Sequence, residues 1–540
     1  MAEKNYSIIL GVWVSLLIGI VTFLNILPVI TQIAKTPPGW VSLQVTHWGG
    51  DYFYYLSQFT QGQTSWFLSA DLYTSDFTGK TIVGWENVFI GKTFSLFGLS
   101  SSFAYHASIV IFSVTFLSLS FYLLTILFKD NKNGKSMAFF SFILFLFSNA
   151  FPKISLEGGK WGLWFYDHWF NIGLPFTRLG GVPHHLIERT LLIAVLILFL
   201  RKSFSNHTSI TQIPLHLLSV FTGFTLASIE PVHFLLVSAV LFISSCIMKK
   251  NRLFSLLFFL GGVFVVFYLK ELFLFPPFIE LARWESAQMV SKSLLDFMLS
   301  SGPLVILSSG GIGFYLIRLL RIIKEKRNVP HDFPIFIFLL ISTALFFSPL
   351  PEWGKISPVR FLPATLPLFW AYFSVRLFSS LKIKKIILMC IFILTLAVMM
   401  FPLGVQIQKA NEVDTHNLVY YIPQKAMDLY THVAKESKET DDVFLVYWPF
   451  NNSFPAYTGR REYQGHPLLT TDSESKEKKL FEFFDGKMSE TQAISFLKNN
   501  TITDIIGYSG NSVLQRASYL TKVEDNGYLS WYRVKILKNY

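Results

Sequence analysis

Apolar residues in this chain come in long unbroken runs, not in the alternating or every-third-residue patterns of water-soluble elements. Runs of about the length that crosses a bilayer, roughly 17–25 residues, lie near 8–30, 103–128, 136–151, 186–200, 213–229, 232–248, 253–270, 298–320, 333–348, 361–380 and 386–404, some of them at or below the short end of that range. A backbone in hydrocarbon must satisfy its own hydrogen bonds, so such runs predict helices. The expected fold class is an α-helical polytopic membrane protein with about eleven transmembrane helices. The first run is too long for a signal-peptide core and lacks a small-residue cleavage site, so it reads as a retained helix.

The polar punctuation orients these helices. With the N-terminus placed inside, alternate loops carry Lys129, Lys132 and Lys135; Arg201 and Lys202; Lys249, Lys250 and Arg252; Arg318, Arg321, Lys324, Lys326 and Arg327; and Lys382, Lys384 and Lys385. All five clusters then fall on one side in short loops, as the positive-inside rule requires. The other side receives the long segments, 31–102, 152–185 and 270–297, and the tail after about 402. The expected organisation is a transmembrane domain over 1–404 with a long first outer loop at 31–102, and an extracytoplasmic α/β domain over 405–540. The chain is expected in the plasma or inner membrane with its N-terminus cytoplasmic. In the tail, helices are expected at 423–435 and at 489–498, the latter capped by Ser489. Strands are expected at 443–448, 504–508 and 529–536.

Composition agrees. Of 540 residues 52% are hydrophobic, 56 are Phe, only 15% are charged, and mean hydropathy is +0.45. A soluble core of this size could not hide so much apolar surface. The net charge of +12 lies in the inner loops, which argues against nucleic acid as a partner; the bilayer is the partner instead. Two cysteines, Cys246 and Cys390, sit in apolar runs and read as small hydrophobes. Gly91-Lys92-Thr93 looks like the end of a phosphate-binding loop, but Glu86 stands where that motif needs a glycine.

The candidate chemistry lies in the first outer loop, in His47-Trp48-Gly49-Gly50-Asp51-Tyr52-Phe53-Tyr54-Tyr55-Leu56. An acid beside two glycines allows close approach of a ligand, and Trp48, Tyr52, Tyr54 and Tyr55 could stack on a sugar. Asp71, Asp76 and Glu86 follow among Ser, Thr and Lys residues and read as solvated. Outer-side cations are Arg178, His184, His185, Lys355 and Arg360. Glu230 lies where two short helices meet, and an acid near membrane depth is costly unless it faces protein or the surface. His184, His185 and Glu188 diverge too much for a metal site.

An aspartate in the first long outer loop, on a many-helix scaffold with an outer C-terminal domain, resembles the GT-C superfamily of membrane glycosyltransferases. Segments similar to uncharacterised bacterial GT-C-like membrane proteins are Asp51-Tyr52-Phe53-Tyr54-Tyr55-Leu56-Ser57 through Leu72-Tyr73-Thr74-Ser75, and Thr458-Gly459-Arg460-Arg461-Glu462-Tyr463-Gln464-Gly465-His466 through Phe496-Leu497-Lys498 and Ile505-Ile506. The resemblance implies transfer of a sugar from a polyprenyl-phosphate donor to a glycan, lipid or protein acceptor at the outer face of the cell envelope. It places the catalytic carboxylate at Asp51. Glu230 is the possible second acid. Cations that suit the donor phosphate are Arg360, Arg178, His184, His185 and Lys355. Acceptor or sugar contacts are expected from Trp48, Tyr52, Tyr54, Tyr55, Arg461, Tyr463 and His466. The acid pair usual in this loop is a single acid here, since Gly50 precedes Asp51, and no ligand cluster supports a divalent metal; no cofactor is implied with it. The rival classes are a multi-pass transporter or flippase, against which the lack of inverted repeats counts, and a polysaccharide ligase or scaffold.

Overall fold

The computed structural model describes residues 2–76, 78–157, 160–166, 179–201, 213–288, 290–381, 385–411, 414–437 and 442–535. Every expected apolar run is helical within it: Ala2–Ala34, Ser101–Leu127, Gly134–Phe147, Pro183–Leu200, Ile213–Ile229, Pro231–Met248, Arg252–Leu272, Pro303–Lys324, Phe333–Phe347, Leu366–Ser380 and Lys385–Asn411. Six are long and apolar enough to cross a membrane: those starting at Ala2 (its apolar part Ile8–Ala34), Ser101, Pro183, Pro231, Arg252 and Pro303. Gly134–Phe147, Ile213–Ile229 and Phe333–Phe347 are apolar but shorter. The molecule is a membrane protein, mostly helical, with apolar side chains such as Phe264, Phe267 and Ile317 exposed on its helix surfaces. Cys246 and Cys390 are also exposed.

Glycines set the helix spacing. A Cβ at Gly223 would stand 2.1 Å from Phe258 O, and one at Gly261 2.2 Å from Val220 O, so Ile213–Ile229 and Arg252–Leu272 touch backbone to backbone. In lipid, where apolar contact with the solvent is no penalty, such close approach is a main source of helix association. The expected single run at 298–320 is instead broken. Leu294–Ser301 ends at Gly302, whose φ of +81° suits only glycine, and Pro303 starts the next helix.

The first long loop is folded, not open. Strand Trp40–Ser42 pairs antiparallel with Tyr421–Pro423 of the tail. Helix Gly49–Gln61 packs on helix Trp85–Ser95, where a Cβ at Gly91 would meet Phe59 O at 2.2 Å. Gly91-Lys92-Thr93 is therefore a helix-crossing motif, with Lys92 Nζ donating to Gln63 O at 3.0 Å.

The tail forms a five-stranded sheet in the order Leu520–Asp525, Leu529–Val534, Ile502–Tyr508, Val443–Val446, Arg461–Glu462. The first three pair antiparallel and Val443–Val446 is parallel to both its neighbours. Successive side chains go to opposite faces. Val443, Leu445, Ile505 and Tyr532 pack in one cluster with Leu480 and Phe483 of helix Ser473–Phe484 and Leu497 of helix Glu490–Asn499. Phe444, Val446, Ile506 and Trp531 join the same core as the membrane helices. Ser489 caps its helix with a full capping box through Gln492. The helix Lys385–Asn411 runs through position 405, the expected domain boundary.

Loop and tail are knit by long-range hydrogen bonds. Glu462 N donates to Leu72 O at 2.9 Å, Thr470 Oγ1 to Tyr73 O at 2.5 Å, Tyr457 Oη to Leu43 O at 3.0 Å, and Lys476 Nζ to Asp76 Oδ2 at 2.8 Å. Two acids that read as solvated in the sequence are buried: Asp71, beside the docked tail, is 4% exposed and Glu86, on helix Trp85–Ser95, 6%. Asp76 alone of the three stays half exposed, paired with Lys476.

Candidate functional site: an acid and a histidine at the loop–tail junction

Trp48 precedes helix Gly49–Gln61, so Asp51 lies in its first turn, where free N–H groups and the helix dipole favour an anion. Its side chain is 42% exposed. The two glycines before it make room for protein: a Cβ at Gly49 would stand 2.6 Å from Val419 Cγ1, and one at Gly50 2.8 Å from the Trp48 indole.

The tail supplies the partner. His466, 1% exposed, places Nε2 3.5 Å from Asp51 Oδ1. Leu468 N donates to His466 Nδ1 at 3.1 Å. With Nδ1 accepting, the ring's N–H is on Nε2, on the side that faces Asp51. Trp48 packs edge-on to His466 at 5.4 Å, and Tyr54 and Tyr73 lie at 6.1 and 6.0 Å. An exposed carboxylate held beside an N–H donor is an arrangement that can take a proton from a hydroxyl and steady the result.

The site continues along the helix. Tyr55, one turn after Asp51, meets His184 at 4.4 Å between ring centroids, and His184 meets His185 at 4.4 Å. Both histidines stand in the first turn of Pro183–Leu200, again at a helix N-terminus. Tyr55 lies in the fields of both Asp51 and Arg360. His47 stacks on Tyr55 at 6.0 Å; burial pushes its pKa down to about 4, against the pull of Asp51 and the Gly181 carbonyl. Arg360 is not a free cation. Its Nε and Nη2 grip both oxygens of Glu285 at 2.9 and 2.8 Å, and its Nη1 reaches Glu230 at 3.3 Å. Burial alone would lower its pKa, yet the two carboxylates hold it above the usual value.

The remaining expected residues divide. Tyr52 is fully buried and donates to Leu43 O at 2.9 Å, so it packs the loop. Tyr463 is buried against Phe496 and under Lys476 Nζ at 5.4 Å. Arg461 is buried in its strand and acts on Asp71. Lys355 is exposed. Arg178 lies outside the described residues. Glu188 pairs with His233 at 2.8 Å. Among the described residues no group of three His, Cys, Asp or Glu side chains is placed to hold a metal, and Glu230 and Glu285 are engaged by Arg360.

Sequence reasoning missed three participants. Glu285 is separated from Arg360 by 75 residues, a distance no local pattern spans. Glu462, fully buried, has its pKa raised well above the usual carboxyl range by burial and by nearby Asp71. Trp448, half exposed beside the loop, had only its aromatic run as a signal.

No protein-family model matches the chain, and no curated protein does. Among solved structures, the chain is similar to the oligosaccharyltransferase of Archaeoglobus fulgidus tethered with an acceptor peptide, with TM-score 0.48 and 12% identity over 92% of this chain and 69% of that one. It is similar to the archaeal oligosaccharyltransferase AglB from the same organism in complex with an inhibitory peptide and a dolichol-phosphate, with TM-score 0.47, 13% identity, 92% and 69%. It is also similar to the mycobacterial arabinofuranosyltransferase AftD, with TM-score 0.48 and 13% identity over 96% of this chain and 41% of that one.

Proposed function

We propose that this protein is a GT-C-type glycosyltransferase that moves a sugar from a polyprenyl-phosphate donor to an acceptor at the outer membrane face, with Asp51 as the catalytic carboxylate. The observation that carries the reading is the half-exposed Asp51 at a helix N-terminus, 3.5 Å from His466 Nε2. In this reading the eleven apolar helices each cross the membrane, the N-terminus is inside, and residues 405–540 form one extracytoplasmic α/β domain. Asp51 takes the proton of the acceptor hydroxyl as its oxygen bonds to the sugar's anomeric carbon. The bond from that carbon to the donor phosphate breaks, and the phosphate leaves with the electron pair. One carboxylate and one displacement give inversion at the anomeric carbon. His466 orients Asp51. His184 and His185, at the start of their helix, suit the lipid phosphate, and Arg360, held by Glu230 and Glu285, organises that side of the site.

The test is transfer from radiolabelled polyprenyl-phosphate sugars by the purified protein. Asp51→Asn keeps size and loses basicity, so the rate should fall about a hundred- to ten-thousand-fold while donor binding stays near wild type. Transfer at the wild-type rate by Asp51→Asn would refute the assignment.

A further inference from the structure

A cavity of about 650 Å³ lies between the first loop and the tail, within the roughly 300–1,000 Å³ usual for ligand sites. It is lined by the chain neighbours of the Asp51–His466 pair: Gly50 beside Asp51, and Gly465 and Pro467 beside His466. We propose that this cavity is the acceptor subsite and that it takes an uncharged oligosaccharide, a proposal that rests on the glycosyl-transfer reading above.

Three observations set the ligand class. Trp48 and Trp448 both line the cavity and are 54% and 53% exposed. Large flat rings left open outside the membrane helices offer stacking faces to sugar C–H groups. Next, the polar lining is dominated by amides and hydroxyls. Gln32 Oε1 and Asn452 Oδ1 are buried atoms with no hydrogen-bond partner among the described residues. Both are acceptors, so each calls for a donor that the ligand brings, and a sugar hydroxyl is such a donor. Last, among the described residues no Lys or Arg lines the cavity, and Glu477 is its one carboxylate. An anionic ligand would meet a like charge and no cation, which disfavours the phosphate end of a lipid donor in this cavity. In this proposal the hydroxyls of the acceptor are taken by the cavity's amides, and the lipid phosphate binds outside the cavity, near His184 and His185, neither of which lines it.

Gln32 ties the cavity to the membrane surface, for it lies near the end of the first helix and its Nε2 donates to Val45 O at 2.6 Å. Asn451 Nδ2 is held by Gln464 Oε1 at 2.9 Å, which fixes two of the lining amides relative to each other.

The experiment measures binding, apart from turnover. The full-length protein in nanodiscs is titrated with uncharged hexose and pentose oligomers, matched uronate oligomers and uncharged Asn- and Ser-containing peptides, read by saturation-transfer NMR and tryptophan fluorescence. Uncharged glycans should bind, uronates and peptides should not. Trp448→Ala and the milder Asn452→Ser should each weaken binding about tenfold, the value of one lost contact; Trp448 is exposed, so its loss does not open a core. Failure of all uncharged glycans to bind, equal binding of uronates, capture of peptides instead, or wild-type affinity in Trp448→Ala would overturn the proposal. If Asp51→Asn abolishes transfer while both cavity variants bind as wild type, the cavity assignment falls alone. If the cavity binds glycan and Asp51→Asn still transfers, the catalytic assignment falls alone.

Discussion

Asp71 should be an acid that the fold tolerates at a cost in stability, and replacing it with Asn should stabilise the loop–tail contact. Its carboxyl is 4% exposed. Oδ1 accepts the Tyr73 N–H at 2.9 Å, and Oδ2 has no hydrogen-bond partner among the described residues. Burial raises its pKa from 3.8 to about 7, against the opposing pull of the Tyr73 N–H, Arg461 and Lys476. A raised carboxyl pKa means that the folded state binds the proton more tightly than the unfolded one. Stability from this group is thus full below the unfolded value near pH 4 and is lost as pH rises through about 7. A rise from 3.8 to about 7, at about 1.4 kcal/mol per unit, amounts to roughly 4 kcal/mol by pH 8. Asp71→Asn keeps the acceptor for Tyr73 N–H and removes the ionisation, so most of that cost should vanish. The assay is amide hydrogen exchange at Glu462, whose N–H bonds to Leu72 O across the junction. Corrected for intrinsic exchange, wild-type protection should fall from pH 5 to pH 8, and Asp71→Asn should stay level and exceed wild type at pH 8. Equal protection of the two proteins at pH 8, or weaker protection in the variant, would refute this account of the buried acid.

Other outcomes follow from the same structure. His466→Ala should lower the transfer rate about tenfold with little change in KM, because it removes the buried imidazole whose Nε2 stands 3.5 Å from Asp51, and His466→Gln should recover part of it by presenting an N–H; steady-state kinetics on both variants decide. Glu285→Gln removes one of the two carboxylates that hold partly buried Arg360 and should lower the melting temperature read by intrinsic fluorescence, by less than the about 3–5 kcal/mol of a fully unpaired buried charge because Glu230 still pairs with Arg360. Gly91→Ala would put a methyl 2.2 Å from Phe59 O and should destabilise the loop by about 1–3 kcal/mol, with protease nicking of the loop as the measure.

The membrane part was legible because a bilayer imposes one length on every crossing element, so apolar run length alone marks the helices. The break at Gly302-Pro303 was written in the sequence too, but an apolar count passes over it. In the tail, β-branched runs announced Val443–Val446 and Ile502–Tyr508. The two-residue strand Arg461–Glu462 is too short to show a period. Helix Ser473–Phe484 hid in a Lys- and Glu-rich stretch because only Leu480, Phe483 and Phe484 of its apolar residues are buried. Asp71 and Glu86 were misread because neighbouring Ser, Thr and Lys report local polarity, whereas their burial is imposed from elsewhere: the strand that covers Asp71 comes from the far end of the chain. Asp51 and His466 were both visible as candidates. That they are a pair was not, since nothing in either segment encodes the other's position.

The junction of loop and tail has a consequence for how the protein is made. Tyr421 Oη reaches Gln32 O across 389 positions, and strand Trp40–Ser42 has its only pairing partner at Tyr421–Pro423 among the described residues. The loop that carries Asp51 emerges first from the ribosome, yet its strand, its buried acid and its histidine partner all wait for the last quarter of the chain. A nascent or truncated protein that lacks the tail therefore leaves Trp40–Ser42 without the strand it pairs with and Asp51 without His466 beside it, so the contacts across the junction form only after the intervening helices have been made.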